Sequence, residues 1–212
     1  MSGRPDFTLY ATDTAAAALV IAHGAGAGQK SPWMVRAARG LQARGVSAAT
    51  FDFPYMAARR KVPDRAPVLE AAWRDAIDAA RAAFGTLPLF IGGKSMGGRM
   101  ASHVAAQPAS GIAGVVLFGY PLHPPGRPDQ RRDAHLPAIT VPVLFVQGTR
   151  DAFGTADDVR ALLPRMPTAT LHEVPGGDHS FKVPGGTARQ QPAFDAVLDA
   201  TAAWILRHAS SA

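Results

Sequence analysis

Three short stretches of this chain carry residues whose types suit acyl transfer. Gly93-Lys94-Ser95-Met96-Gly97 holds a serine between glycines. Gln147-Gly148-Thr149-Arg150-Asp151 ends in a carboxylate, and Gly176-Gly177-Asp178-His179 presents an imidazole after two glycines. A serine hydroxyl is a weak nucleophile until a base takes its proton, and an imidazole with an ordinary pKa near 6.5 suits that task. A carboxylate on the other ring nitrogen fixes the tautomer and stabilises the imidazolium. The spacing predicts Ser95 as nucleophile, His179 as base and Asp151 as the group that orients the base. Asp178 is the rival acid, but neighbouring side chains in a loop face each other poorly, so it is expected to shape its loop. A fourth stretch, His23-Gly24-Ala25-Gly26-Ala27-Gly28, offers free backbone N–H groups. The amide of Ala25, with that of Met96, is the expected oxyanion hole, where each donor contributes about 2.7–4 kcal/mol in measured cases.

Two other glycine-rich readings fail on spacing. A phosphate-binding loop ending at Gly93-Lys94-Ser95 needs a glycine at position 88, which is proline. A dinucleotide fingerprint read from Gly24 or Gly26 needs its third glycine at position 29 or 31, which are Gln and Ser. Neither nucleotide nor any other cofactor is expected. His103 and His208 read as core or surface residues, and His123, His135 and His172 lack ligand spacing, so no catalytic metal is predicted.

The elements that must position these stretches alternate along the chain. Apolar strands are predicted at Leu19–Ala22, Val46–Phe53, Leu87–Gly92, Ile112–Phe118, Val141–Val146 and Thr170–Val174. Between them lie helices opening at Ser31-Pro32-Trp33, at Ala66-Pro67, at Met96 (closed by Pro108), and at Thr155, where Thr155-Ala-Asp-Asp158 reads as a capping box for a helix to Leu163. Leu69, Ala72, Trp73, Ala76, Ile77 and Ala80 share one helical face, as do Phe194, Val197, Leu198, Thr201, Trp204 and Ile205 near the end. Strands separated by helices need crossovers, so a mostly parallel, doubly wound α/β sheet of about seven strands is expected, with Phe7–Thr12 as an edge strand. Each reactive stretch then follows a successive strand, in the order Ser, Asp, His of the α/β-hydrolase fold. The segment His123–Thr140, rich in Pro and Arg, is expected as an irregular excursion over that edge of the sheet. Its Arg127, Arg131 and Arg132 raise the possibility of anionic substrates.

The bulk properties narrow the rest. The 212 residues are expected to form one domain, with 47% hydrophobic and 18% charged residues, as in globular chains. There is no cysteine, which excludes disulfides and thiolate metal sites. No signal peptide or membrane span is read, so a cytoplasmic protein without membrane contact is expected. The net charge of +6 is scattered; neither Arg59-Arg60-Lys61 nor Arg131-Arg132 is interleaved with aromatic residues, so no nucleic-acid partner is expected.

Taken together, residues 23–28, Phe51-Asp52-Phe53-Pro54, Gly-Gly-Lys-Ser-Met-Gly-Gly-Arg at 92–99, Gly119-Tyr120-Pro121-Leu122-His123 and Gly-Gly-Asp-His-Ser-Phe at 176–181 resemble the α/β-hydrolase superfamily. More narrowly they look like the small subfamily that includes testis-expressed protein 30 and a related subunit of a chromatin acetyltransferase complex. The chain is more distantly similar to dienelactone hydrolases, which carry cysteine where this chain has Ser95. The resemblance implies the fold and the Ser95–His179–Asp151 triad, but no substrate. A shortened antiparallel start and no large cap domain are expected. The expected activity is cleavage of a small carboxylic ester or thioester; the alternatives are a scaffold on an inherited fold, or acyl transfer to an acceptor other than water.

Overall fold

The computed structural model describes residues 6–107 and 111–210. Pro108, expected to close a helix, lies outside them. Among the described residues seven strands form one sheet in the order β1-β3-β2-β4-β5-β6-β7. They are β1 (Phe7–Tyr10), β2 (Ala17–Ala22), β3 (Val46–Phe51), β4 (Leu89–Lys94), β5 (Gly114–Phe118), β6 (Val143–Gly148) and β7 (Ala169–Val174). Among the described residues only β1 is antiparallel, pairing with β3 from Phe7 opposite Phe51 to Tyr10 opposite Ala48. The edge strand lies where it was expected but ends at Tyr10, two residues before Thr12.

Six helices cover the two faces: α1 (Pro32–Gln42), α2 (Pro54–Ala57), α3 (Ala66–Phe84), α4 (Met96–Ala105), α5 (Ala156–Arg160) and α6 (Thr187–Ala209). Helices α3 and α4 pack on one face through Leu69, Trp73, Ile77, Met100 and Val104. Helices α1 and α6 pack on the other through Met34, Leu41, Phe194, Leu198 and Trp204. Strands covered on both sides must be apolar throughout, and every residue of β2 through β6 is buried. The apolar faces read for α3 and α6 are buried at all six named positions in each.

The strand ends differ from the sequence reading. The starts of β4 and β6 move past Pro88 and Pro142, whose rings supply no N–H to a ladder. Their ends run on through Gly93-Lys94 and Gln147-Gly148, because β5 and β7 continue to pair with them there. Strand β3 stops at Phe51, and Asp52 turns away to accept the Gln29 N–H at 2.7 Å. Helix α5 ends at Arg160 instead of Leu163; Pro164 disfavours helical geometry in the residue before it, and a 3-10 turn, Leu163–Arg165, follows. Its capping box is formed as read, with Thr155 and Asp158 bonding each other's backbone N–H.

Chain direction across the sheet reverses between β2 and β4, since β3 lies to one side of this pair and β5 to the other. At such a switch point the connections leave in opposite directions and open a crevice beyond the carboxyl ends of the strands. The loop after β2 and the turn after β4 both face it.

Candidate active site

Ser95 links β4 to α4 as the helix N-cap, with φ 52° and ψ −117°. Positive φ is rare and costly for a residue with a side chain, and such strain persists only where the surroundings enforce it. Here the enforcement is steric and polar. The Ser95 N–H donates to the Phe118 carbonyl at 3.0 Å. A Cβ on Gly93 would lie 2.5 Å from the Ala22 carbonyl oxygen and 2.8 Å from the carbonyl carbon of Gly97. Only glycine lets strand and helix meet this closely, so the hydroxyl stands at the apex of a sharp turn.

The imidazole reaches it from the loop after β7. His179 Nε2 lies 2.9 Å from Ser95 Oγ, and His179 Nδ1 lies 2.8 Å from Asp151 Oδ2. An ionised carboxylate only accepts, so Nδ1–H donates to it and Nε2 is left to accept from the serine. Phe153 lies against the ring, with centroids 4.2 Å apart. Asp178 is turned away and accepts the N–H groups of Ser180 and Lys182 at 2.8 and 2.9 Å, so it shapes the loop as expected.

Asp151 is buried, with 2% of its surface exposed. Burying a carboxylate is costly unless it is hydrogen-bonded, and both oxygens are. Oδ1 accepts the Phe153 N–H at 2.8 Å, and Oδ2 accepts Gln147 Nε2 at 3.0 Å beside the imidazole. Gln147 was not singled out from the sequence, where it ends an apolar run and reads as loop. It is fully buried, accepts the Tyr120 N–H at 2.8 Å and donates to the Gly154 carbonyl at 2.6 Å. A carboxamide closing a parallel strand four residues before the acid was the available signal.

Lys94 was also missed as more than a spacer. It is buried beside the relay, and its ammonium donates to the backbone carbonyl of His179. Burial pushes its pKa down to about 8 against the pull of Asp151 and Asp178. This bond ties the loop bearing the imidazole to the strand bearing the serine.

The loop after β2 closes the other side. His23 is buried; its Nε2 accepts the Phe53 N–H at 3.2 Å, which leaves Nδ1–H to donate to the Gly24 carbonyl at 2.9 Å. Burial lowers its pKa, which favours this neutral form. A Cβ on Gly24 would lie 3.5 Å from Ser95 Cβ, so the loop runs directly past the hydroxyl. Ala25 and Met96, the expected oxyanion donors, both line the cavity into which Ser95 and His179 open. Its volume is about 550 Å³. Trp33 walls one side, packed edge-on against Phe118 and Phe194. Among the described residues, no group of three or more His, Asp or Glu side chains could hold a metal ion.

The excursion runs as irregular chain, with one 3-10 turn at Leu136–Ala138. Its arginines divide. Arg131 pairs with Asp133 at 2.7 Å, and Arg127 is exposed away from the cavity, whereas Arg132 lines the cavity.

This arrangement of sheet, turn and relay is that of an α/β hydrolase. The sequence profile of the alpha/beta hydrolase domain family matches residues 15–206, and the chain belongs to that family. Solved structures agree on the fold. A dienelactone hydrolase from Anabaena variabilis superposes with a TM-score of 0.75 at 22% identity, covering 95% of this chain and 90% of that one. An α/β serine hydrolase without lid from Xanthomonas campestris gives 0.72 at 21% identity, covering 94% and 88%. Est1E from Butyrivibrio proteoclasticus gives 0.70 at 15% identity, covering 93% and 90%. Among the described residues no large cap is evident.

Proposed function

We propose that this chain is a serine hydrolase that cleaves a small carboxylic ester or thioester through an acyl-enzyme on Ser95. The observation that carries the proposal is the continuous hydroxyl–imidazole–carboxylate relay, 2.9 and 2.8 Å long, opening into the cavity at the sheet's switch point. His179 takes the Ser95 proton as Oγ attacks the acyl carbon, and Asp151 holds the imidazolium. The amides of Ala25 and Met96 receive the charge that develops on the carbonyl oxygen. His179 then returns the proton to the departing alcohol or thiol, and a water activated by the same imidazole hydrolyses the acyl-enzyme. No cofactor takes part in this scheme.

One domain carries the whole site. Its motifs at 23–28, 92–99 and 176–181 favour a place near the testis-expressed protein 30 subfamily. Among the described residues no helix is long and apolar enough to cross a membrane, and the absence of cysteine fits a reducing cytoplasm. A panel of short-chain esters and thioesters, assayed with the native protein and His179→Ala, tests the proposal. Turnover that falls by at least about a hundredfold in the variant supports it; equal rates in both proteins refute it.

A further inference from the structure

Three cationic side chains, Lys94, Arg99 and Arg132, line the cavity beside Ser95, and among the described residues no carboxylate lines it with them. Lys94 is already engaged with the His179 carbonyl. The two arginines are not engaged with any acid: every ion pair of the described residues leaves them out. Arg99 projects from the first turn of α4, and its buried Nε has no hydrogen-bond partner. Buried polar groups are mostly paired, so the Arg99 guanidinium that lines the cavity keeps hydrogen-bonding capacity that an oxyanion can meet.

Arg132 arrives from the excursion on a fixed backbone. Its N–H donates to the Leu122 carbonyl at 2.8 Å, and its own carbonyl accepts the buried Tyr120 hydroxyl at 2.7 Å. The nearest acid in sequence, Asp133, is taken by Arg131. Burial lowers the Arg132 pKa, and the Arg99 charge lowers it further, as expected of two cations brought to one wall without a counter-ion.

We infer that Arg99 and Arg132 form an oxyanion-recognising subsite, and that the substrate bears a second, ionised acid group beside its scissile ester or thioester. Guanidinium groups match carboxylate and phosphate oxygens in two-point geometry, and a partly desolvated anion there neutralises both cations at once. The inference concerns the substrate class and rests on the proposed role of Ser95.

Binding to the Ser95→Ala protein reads the subsite without turnover. Calorimetric titration with monomethyl glutarate, methyl 4-phosphonobutyrate and the uncharged methyl hexanoate is the test. At least one anionic ester should bind about tenfold or more tighter than methyl hexanoate, and the stronger of the two identifies the group as carboxylate or phosphonate. The preference should vanish in Ser95→Ala combined with Arg132→Gln or with Arg99→Gln, recover in part with Arg132→Lys, and persist with the exposed Arg127→Gln. Thermal melts of each variant confirm that it is folded. No preference, or one that survives loss of either cavity arginine, overturns the inference. Native protein that turns over esters without an anion preference would sink the subsite and spare the hydrolase; anion binding without turnover of any ester would do the reverse.

Discussion

Replacing Gly97 by alanine adds one carbon where the backbone of β2 already stands. That carbon would lie 2.3 Å from the Ala22 carbonyl oxygen, 2.6 Å from the Ala22 carbonyl carbon and 2.7 Å from the His23 carbonyl oxygen. Relief requires a shift of about 1 Å to reach ordinary van der Waals separation. None of the three obstacles is a side chain that could swing aside. Either α4 must lift or the end of β2 must retreat, and the Trp73 indole, which donates to the Gly97 carbonyl at 3.2 Å, resists the first. Overpacking costs about 1–3 kcal/mol, and a backbone obstacle places this case at the upper end. For a chain of this size that lowers Tm by roughly 6–12 °C. The same shift separates the Met96 amide from the Ala25 loop, and misplacement by 1 Å costs about a hundredfold in rate. The assay is a thermal melt followed by circular dichroism, together with kcat/KM on a short-chain ester. Gly126→Ala is the control: nothing lies within 4 Å of its added carbon, and only its φ of 72° opposes the change. It should lose about 1–2 kcal/mol and keep its activity. A Gly97→Ala protein that melts within 2 °C of the native one and keeps most of its activity would refute this reasoning.

Asp151→Asn should lower kcat by about 10⁴-fold, the loss seen for the same change in a protease triad, with the fold retained by circular dichroism. Three donors converge on the two oxygens of Asp151, so an amide nitrogen must face either the Phe153 N–H or the Gln147 and His179 donors. Retention of more than a tenth of the activity would contradict that role. A third prediction concerns acid stability. Burial, and then the charges of His103 and Arg99, push the His135 pKa from 6.5 to about 4, while Asp133 pulls the other way. Below pH 6.5 the unfolded chain binds a proton that the folded chain refuses until about pH 4. The stability contributed is whole above pH 6.5 and is lost as pH falls through that window. The urea midpoint should fall from pH 7 to pH 4.5 more steeply in the native protein than in His135→Gln, which can still bond the Ser102 hydroxyl that lies 2.8 Å from His135. Parallel declines would exclude His135 as the group responsible.

The layout of the fold could be read from the sequence because its cues are local. Apolar runs such as Leu19–Ala22, and the 3.6-residue period of Leu69 to Ala80, declare strand and helix without reference to the rest of the chain. The loops holding Ser95, Asp151 and His179 inherit a common edge from the parallel sheet, so their convergence follows once the crossovers are accepted. What could not be read depends on partners far away in sequence. Gly93-Lys94 and Gln147-Gly148 look like loop residues, and they are strand because β2, β5 and β7 pair with them. Gln147 gains its place from Asp151, Tyr120 and Gly154 together. The excursion arginines looked alike in the sequence. Only the tether through Tyr120 and Leu122, and the capture of Arg131 by Asp133, separate Arg132 from its neighbours.

The most direct measurement is covalent labelling by a fluorophosphonate probe, with the modified residue located by peptide mass spectrometry. A hydroxyl activated by a neighbouring imidazole should take up the probe stoichiometrically at Ser95, lose all labelling in Ser95→Ala, and react far more slowly in His179→Ala. A folded native protein left unmodified, or modified elsewhere, would contradict the account.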